Sequence, residues 1–569
     1  MSVVTRTAAP ASVLRAEHVV MACAVAALAV LVILPLGSLV WGSVSEDGTL
    51  TLGHFREAFA NRLYLTALIN SLVLGTWTAA ISVAVGLPMA WAVSRTNLPG
   101  KRFVHLTAVV AYITPPYLTA IAFVNLFGPN AGIVNRFLRD VLGAPAVTFN
   151  IFSMAGLVLV TVPHTFPFVY LLAASALESV DASMEESAQM LGASRWRTVG
   201  VITAPLVAPA VLSGALIAFV NAIALFGSQA IVGLPGRVFT LPTRIYALFD
   251  YPPQYGLASA MSLIFVAITV AALALQRRYL ARRSYVTLGG KGSRPQLVDL
   301  GPARWAVLGF CVAVFVVAVL APYLTLLAVS LSKSWGLAFW QNLTLKNYRF
   351  VLFEYDVTRR AIANSLLLAS AAATLAVLLG SVVAWLDLRT RLPGRKVMDY
   401  ASLVPLGLPG IVVAVALIQF WLRMPVPIYG TLLIILLAYT GRYVPLAVRS
   451  ASASFRQIDP TLEETARITG AGWLRTFRSV SLPLARPGLF AGWLLVFVPA
   501  IQELSASILL FSSESMTLAV AVYNLYETGY LEPVAALAIV TMVIIVAAVG
   551  LATRLARGGS AMERPTVAS

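Results

Sequence analysis

Apolar runs long enough to cross a lipid bilayer recur along the whole chain, and no other feature restricts its fold as strongly. A spanning helix needs ~20 mostly apolar residues. Twelve runs reach that length, near residues 18–43, 66–94, 103–127, 153–177, 207–228, 256–276, 305–332, 361–387, 399–421, 430–450, 487–510 and 532–553. Composition points the same way: 59% of the chain is hydrophobic and 11% charged, where soluble domains carry about 25% charged residues. The excess apolar surface has to face lipid. The first run exceeds the 7–15-residue apolar core of a cleaved signal peptide and is read as an uncleaved membrane helix. The expected fold class is therefore an all-α polytopic membrane protein.

The formal charge of +17 would suggest nucleic acid in a soluble protein. Here the positive-inside rule accounts for it. With a cytosolic N-terminus, both tails and every second loop are cytosolic, and they hold most of the 40 Lys and Arg. Arg277, Arg278, Arg282, Arg283, Lys291 and Arg294 fill one such loop; Arg389, Arg391, Arg395 and Lys396 fill another. No basic soluble domain remains, so no nucleic-acid partner is expected. Cys23 and Cys311 each fall inside an apolar run without a neighbouring Cys or His. They read as apolar fillers, and neither a disulfide nor a metal site is expected.

The chain also repeats itself. Asn70-Ser71-Leu72 opens the second run, and Asn364-Ser365-Leu366 opens the eighth, 294 residues later. Leu98-Pro99-Gly100 recurs as Leu392-Pro393-Gly394 at the same offset. Further on, Pro167, Glu186, Gly192 and Pro205 recur as Pro445, Glu464, Gly470 and Pro483 at an offset of 278. The shorter offset places a longer external loop near 128–152 in the first copy. Six runs per copy return the chain to its starting side, so the halves are expected to be parallel repeats. The divisions are 1–276 for the first half, 277–304 for a cytosolic linker and 305–569 for the second half. Leu288 to Ser293, rich in glycine, makes that linker flexible.

One loop in each half carries a stronger signal, at 178–206 and 453–485. Asp181 to Gly192 and Asp459 to Gly470 share a pattern in which Ser183 or Thr461 stands three residues before Glu186 or Glu464. That is the spacing of a capping box, with Ser183 and Thr461 as caps. Gly192 and Gly470 end the short helices in the left-handed conformation glycine favours. Met184, Ala188 and Leu191 share one helical face, repeated by Leu462 and Ala466. A second short segment follows, with Arg195 and Arg197 in one copy and Arg475 and Arg478 in the other, ahead of Pro205 and Pro483. A capped helix–turn–helix kept in both halves reads as a docking site for another protein, rather than a loop packed under its own bundle.

These residues resemble the EAA motif of ABC importer permeases: EAA, three residues, G, nine residues, I-x-L-P. Glu186-Ser187-Ala188, Gly192, Ile202 and Pro205 match it once. Glu464-Thr465-Ala466, Gly470, Val480, Leu482 and Pro483 match it again. Ser187 and Thr465 replace the middle alanine, Ala204 replaces the leucine, and Val480 replaces the isoleucine. The resemblance implies a type I importer fold with two pseudo-symmetric six-helix halves. It also implies ATPase-coupling roles for Ser183, Glu185, Glu186, Ala188, Gly192, Pro205, Thr461, Glu463, Glu464, Ala466, Gly470 and Pro483. Two copies of an ABC ATPase subunit would dock on the cytosolic face, and a periplasmic or lipid-anchored solute-binding protein on the external face. The chain would sit in a bacterial inner membrane with both termini cytosolic. No G-x-x-x-x-G-K-[ST] occurs, so the chain binds no cofactor and ATP-Mg belongs to the partner. No catalytic residues are expected.

Ionisable residues within membrane runs are costly, at least ~2.5–3.5 kcal/mol each on insertion scales. Glu503 stands out in the eleventh run, beside Gln502 and Ser505; Asn221 and Gln229 flank the aligned Leu225. These five line the translocation path or its gate, or Glu503 instead packs the two halves together. His164 reads as a structural histidine, and Arg442 as a side chain reaching outward from the external end of its span. The fused halves, Gly128-Pro129-Asn130-Ala131-Gly132 and Glu503-Leu504-Ser505-Ala506-Ser507 resemble ferric-iron permeases. Related fused permeases carry thiamine or 2-aminoethylphosphonate, and single-half relatives carry polyamines, sulfate or molybdate. An ion-gradient-driven transporter is the rival class. A single clear carboxylate and parallel repeats argue against it.

Overall fold

The structure is a computed structural model that describes residues 11–144, 146–281 and 297–561. Among these, ten helices are long and apolar enough to cross a membrane: Glu17–Val44, Arg62–Arg95, Met154–Ser179, Val199–Ala224, Tyr255–Arg278, Gly301–Ser330, Val357–Arg389, Leu432–Arg456, Leu474–Ile501 and Leu531–Arg554. Two further pairs reach that length only together and are sharply bent: Lys101–Ile113 with Pro116–Phe127, by 98°, and Arg395–Gly407 with Gly410–Trp421, by 115°. The expected spans 103–127 and 399–421 are thus each broken, giving ten to twelve spans. The cause is local. Thr114 and Leu408 precede prolines, which disfavour the helical conformation in the residue before them. Both are extended, with ψ of 123° and 121°.

Four spans carry a π-helical turn, at Ala29–Ile33, Val199–Thr203, Val316–Leu320 and Phe477–Ser481. Pro35, Pro205, Pro322 and Pro483 follow two residues after these turns. A proline ring clashes with the carbonyl four residues earlier and offers no N–H; widening the preceding turn relieves both within a continuous helix. Two expectations change as a result. The short segments after Gly192 and Gly470 run directly into the spans expected at 207–228 and 487–510, which begin at Val199 and Leu474. The second of these spans ends at Ile501, so Glu503 lies just past it, in a break before Ser507–Leu510.

The chain divides into two compact units. One gathers the segment through Thr49, Asp356–Ala521 and the chain from Thr541 on; the other gathers Leu50–Tyr355 and Val522–Val540. Each therefore combines most of one sequence repeat with the leading spanning helix of the other. In the first, Glu17–Val44 packs on Gly410–Trp421, where Gly42 lies against the Gln419 side chain. In the second, Gly301–Ser330 packs on Pro116–Phe127, with Tyr323 and Thr114 hydroxyls 2.9 Å apart.

The core of each unit is the same three-helix arrangement. Arg62–Arg95, Met154–Ser179 and Ala204–Ala224 pack mutually in one, and Val357–Arg389, Leu432–Arg456 and Leu482–Ile501 in the other. Paired glycines set the close approach. A Cβ on Gly86 would stand 2.9 Å from the Phe166 carbonyl, and one on Gly214 2.7 Å from the Val169 Cα. A Cβ on Gly380 or Gly492, at the repeat offsets, would stand 2.8 Å from Val448 N or Ser450 Cβ. Small residues let membrane helices gain packing without a hydrophobic driving force.

The repeated Asn-Ser pair also has a structural role. Ser71 Oγ accepts from Leu241 N at 2.8 Å, and Ser365 Oγ from Leu518 N at 2.7 Å. Asn70 donates to Phe239 O at 2.9 Å and Asn364 to Met516 O at 3.0 Å.

The glycine-rich stretch Leu288–Ser293 lies outside the described residues. Of the expected linker, residues 277–281 are helical and Val298 is tied down. The preceding helix continues to Ala281, and Val298 N donates to Arg95 O at 2.8 Å.

Candidate functional site: two clamped loop helices

The repeated loops form short helices at Ala182–Met190 and Pro460–Ile468. Their caps are not Ser183 and Thr461 but Asp181 and Asp459, whose carboxylates accept from Ser183 N at 2.9 Å and Thr461 N at 3.0 Å. The aspartates hold extended backbone, with ψ of 124° and 126°, which lets a short side chain turn back onto the first free amides. Accepting bonds from both the Thr461 amide and hydroxyl holds the Asp459 carboxyl below its ordinary range. A lowered value means the cap is charged above the ordinary carboxyl pKa and is lost only as pH falls through the lowered one. Both caps were legible as a shared Asp at the 278 offset; the Ser/Thr-x-x-Glu pattern masked them.

The helices end as expected. Gly192 and Gly470 have φ of 85° and 89°. Gly192 N donates to Gln189 O at 2.9 Å and Ala193 N to Ala188 O at 3.0 Å; Gly470 and Ala471 repeat both bonds, to Arg467 O and Ala466 O, at 3.0 Å. This paired closure satisfies the last carbonyls of the helix.

Each helix is fastened to the membrane core by the same three groups. Arg95, the last residue of Arg62–Arg95, places Nη1 3.2 Å from Glu185 Oε2, and its Nη2 donates to Val180 O at 3.2 Å. Thr203 Oγ1 donates to the other Glu185 oxygen at 2.6 Å. In the second copy Arg389 Nε is 3.3 Å from Glu463 Oε1, and Nη2 donates to Phe455 O at 2.9 Å and Ile458 O at 2.7 Å. Ser481 Oγ donates to Glu463 at 2.8 Å. The positions correspond at the repeat offsets. Each Glu thus joins the end of one spanning helix to the early part of another, through a hydroxyl at the end of the π-helical turn that precedes Pro205 or Pro483. The arginines went unremarked in the loop pattern, although Arg95 and Arg389 share the 294 offset.

The opposite face is open. Glu186 and Glu464 are exposed. Met184 and Leu462 are exposed, and Leu191 and Ile468 are 89% and 85% exposed. Ala188 and Ala466 are half-buried between the two faces.

Of the five pathway candidates, Asn221 and Gln229 lie in one unit and Gln502, Glu503 and Ser505 in the other. Asn221 bonds within its own helix, to Ile217 O at 2.9 Å. Gln229 is fully buried, donating to Ala222 O at 2.8 Å and accepting from the Thr240 hydroxyl. Glu503 is buried within one unit, where Arg442 Nη1 is 2.7 Å away. It also accepts from the Tyr443 hydroxyl at 2.5 Å and Ala506 N at 2.9 Å. Gln502 and Ser505 flank it. Arg442 therefore does not reach outward: it sits within Leu432–Arg456 and turns inward, because a carboxylate stripped of water binds it more strongly than a distant interface. The repeat offset carries Arg442 to His164 and Glu503 to Leu225. His164 stacks on Tyr112, ring centroids 6.0 Å apart, so the ion pair belongs to one copy alone. No three His, Cys, Asp or Glu side chains among the described residues could hold a metal ion.

Ten to twelve spans, a doubled three-helix core and two fastened loop helices define a membrane permease built from two copies of one unit. The family described as "Binding-protein-dependent transport system inner membrane component" matches residues 82–285 and 376–558, one stretch in each repeat, and the chain belongs to this family. It is the transmembrane component of a binding-protein-dependent ABC importer and not a catalytic subunit; a partner ATPase uses the ATP. A ferric transport system permease protein of Actinobacillus pleuropneumoniae is 26% identical over 467 residues, covering 81% of this chain and 66% of that one. An Fe(3+)-transport system permease protein of Haemophilus influenzae is 23% identical over 80% of this chain and 83% of its own. A molybdenum transport system permease protein of Escherichia coli is 30% identical over 38% of this chain and 93% of its own. Among solved structures, a bacterial ABC transporter importing alginate covers 43% of this chain and 87% of its own, with 19% identity and a TM-score of 0.37.

Proposed function

We propose that Ala182–Met190 and Pro460–Ile468 are the coupling helices through which an ATPase pair drives this permease, and that its cargo is ferric iron. The doubled clamp supports the first part. A helix capped at both ends, open on one face and fastened on the other to two spans by a buried ion pair, passes a push from outside into the bundle. On this reading the loops face the cytosol of a bacterial cell, both termini lie on that side, and one ATPase subunit docks on each loop. Glu186, Glu464 and the exposed apolar side chains meet the ATPase, while Glu185 and Glu463 transmit. A solute-binding protein delivers cargo on the external face. Ferric iron is favoured because relatives that match along both repeats are ferric permeases.

In proteoliposomes containing the permease, its ATPase and its binding protein, ATP hydrolysis rises with ferric iron and not with thiamine, 2-aminoethylphosphonate or polyamine. Stimulation by one of the others, with none by iron, reassigns the cargo.

Glu503, with Gln502 and Ser505, lines the path in one unit; in the other, Asn221 and Gln229 flank Leu225, the position the repeat offset assigns to Glu503. Glu503→Gln alone would leave Arg442 buried without its counter-charge, which is strongly destabilising. The informative variant is Glu503→Leu with Arg442→Met, since apolar replacement of a buried pair is often neutral. This double variant accumulates like the wild type and loses uptake at least tenfold. Undiminished uptake makes the pair a packing feature only.

A further inference from the structure

The unit made of Leu50–Tyr355 and Val522–Val540 carries an open cavity of about 660 Å³. One wall is the turn from Gly128 to Ala131; the other carries Tyr523, Tyr526 and Glu527. Phe152, also on the wall, stands two residues before Met154–Ser179, whose far end leads into the first loop helix. A 26-residue helix is roughly 40 Å long, so the cavity lies at the opposite end of the unit from that loop.

The turn is built to hold its shape. A Cβ on Gly128 would meet Val124 O at 2.6 Å, and one on Gly132 would meet Gly128 N and O at 2.5 Å. Asn135 ties the turn down, donating to Phe127 O, Gly128 O and Phe149 O at 3.2, 3.0 and 2.8 Å and accepting from Phe149 N at 2.8 Å.

Two features point to a ligand. Asn125 lines the cavity and is 2% exposed; its Nδ2 donates to Ile121 O, but its buried Oδ1 has no partner among the described residues. Buried acceptors are rarely left unpaired, because they have lost water and gained nothing. The second feature is charge. In a chain of net charge +17, Glu527 is the only charged residue lining this cavity, and it forms no ion pair with a described residue. The Tyr523 hydroxyl donates to it. Glu527 is exposed, and an unneutralised carboxylate at the rim of an open cavity sets a negative potential at its mouth.

We propose that this cavity receives a cation, with Glu527 selecting its charge and Asn125 Oδ1 and the phenol oxygens as further donors. It deepens the ferric-cargo reading and rests on it for the ion's identity. One carboxylate is too little for a metal cage, which suits a site that must release its ligand. The volume far exceeds a bare ion, a single water occupying ~30 Å³, so the cation enters with water, with ligands of its own, or as an organic ammonium.

The test is equilibrium binding to the full permease in lipid nanodiscs, without ATPase or binding protein. The probes are iron(III) supplied as its nitrilotriacetate complex, and thiamine. The wild type binds iron(III), Glu527→Gln weakens binding at least tenfold, and Glu527→Asp, which keeps the charge, stays within about threefold. Thiamine binding with the same dependence on Glu527, and no iron binding, supports the site and overturns ferric iron as cargo. Binding of neither probe, or equal binding by wild type and Glu527→Gln, overturns the site. Uptake in the complete system then judges the cargo separately.

Discussion

Replacing Gly192 and Gly470 together with arginine abolishes ATP-driven uptake while the protein still accumulates in the membrane. The geometry separates the two outcomes. Both glycines hold left-handed backbone, and nothing lies within 4 Å of a Cβ added at either. An L-residue in that conformation costs about 1–2 kcal/mol, which the closing bonds at Ala193 and Ala471 resist locally and a bundle of ten to twelve spans absorbs. A partner seated on the open face has no such freedom, because each arginine projects a long cation beside the exposed Leu191 or Ile468. Either single substitution leaves one loop competent and reduces uptake less than the pair. Uptake is measured in proteoliposomes, and membrane content by quantifying the chain after extraction. Full uptake by the double variant is incompatible with these loops being where the ATPase engages.

Arg389→Ala has the second largest effect, of a different kind. Glu463 is 4% exposed, and losing Arg389 leaves its carboxylate buried with only the Ser481 hydroxyl. Removing one partner of a buried ion pair costs about 3–5 kcal/mol, and the Phe455 and Ile458 carbonyls lose their donor as well. The variant unfolds at lower temperature in detergent and uncouples hydrolysis from uptake, because the loop helix is no longer fastened to the Val357–Arg389 span. Arg389→Lys keeps the charge but cannot reach both carbonyls and the carboxylate at once, and falls between. Arg95→Ala costs less, since the Glu185 side chain keeps 18% of its exposure and can be rehydrated. A ratio of hydrolysis to uptake unchanged in Arg389→Ala would make the clamp a stabilising contact and nothing more.

The architecture was legible in the sequence where the physics is one-dimensional. Spanning length, the two repeat offsets and the glycines ending the loop helices each depend on local composition or backbone conformation, and each appears in the structure. Pro115-Pro116 and Leu408-Pro409 carried a local signal for the two broken spans, but average hydropathy runs through them undisturbed. The partners of buried charges were not legible. Nothing near Glu503 in the chain names Arg442, sixty-one positions earlier, and Arg442 taken alone looks like a residue reaching for the interface. The same holds for Arg95 and Glu185: the 294 offset marks one and the 278 offset the other, but only packing brings them together. The exchange of leading helices between units has no sequence signature either, since Glu17–Val44 is apolar along its length. The cavity beside Glu527 combines segments about four hundred residues apart in the chain.

Site-directed cross-linking tests the coupling assignment most directly. Cys23 and Cys311 are replaced by alanine, single cysteines are placed at Leu191 and Ile468, and the permease is assembled with its ATPase and binding protein. Both cysteines should cross-link to the ATPase subunit, neither to the binding protein, and the yield should change on adding ATP. Cross-links to the binding protein, or none to the ATPase from either position in a complex that hydrolyses ATP, would contradict the account.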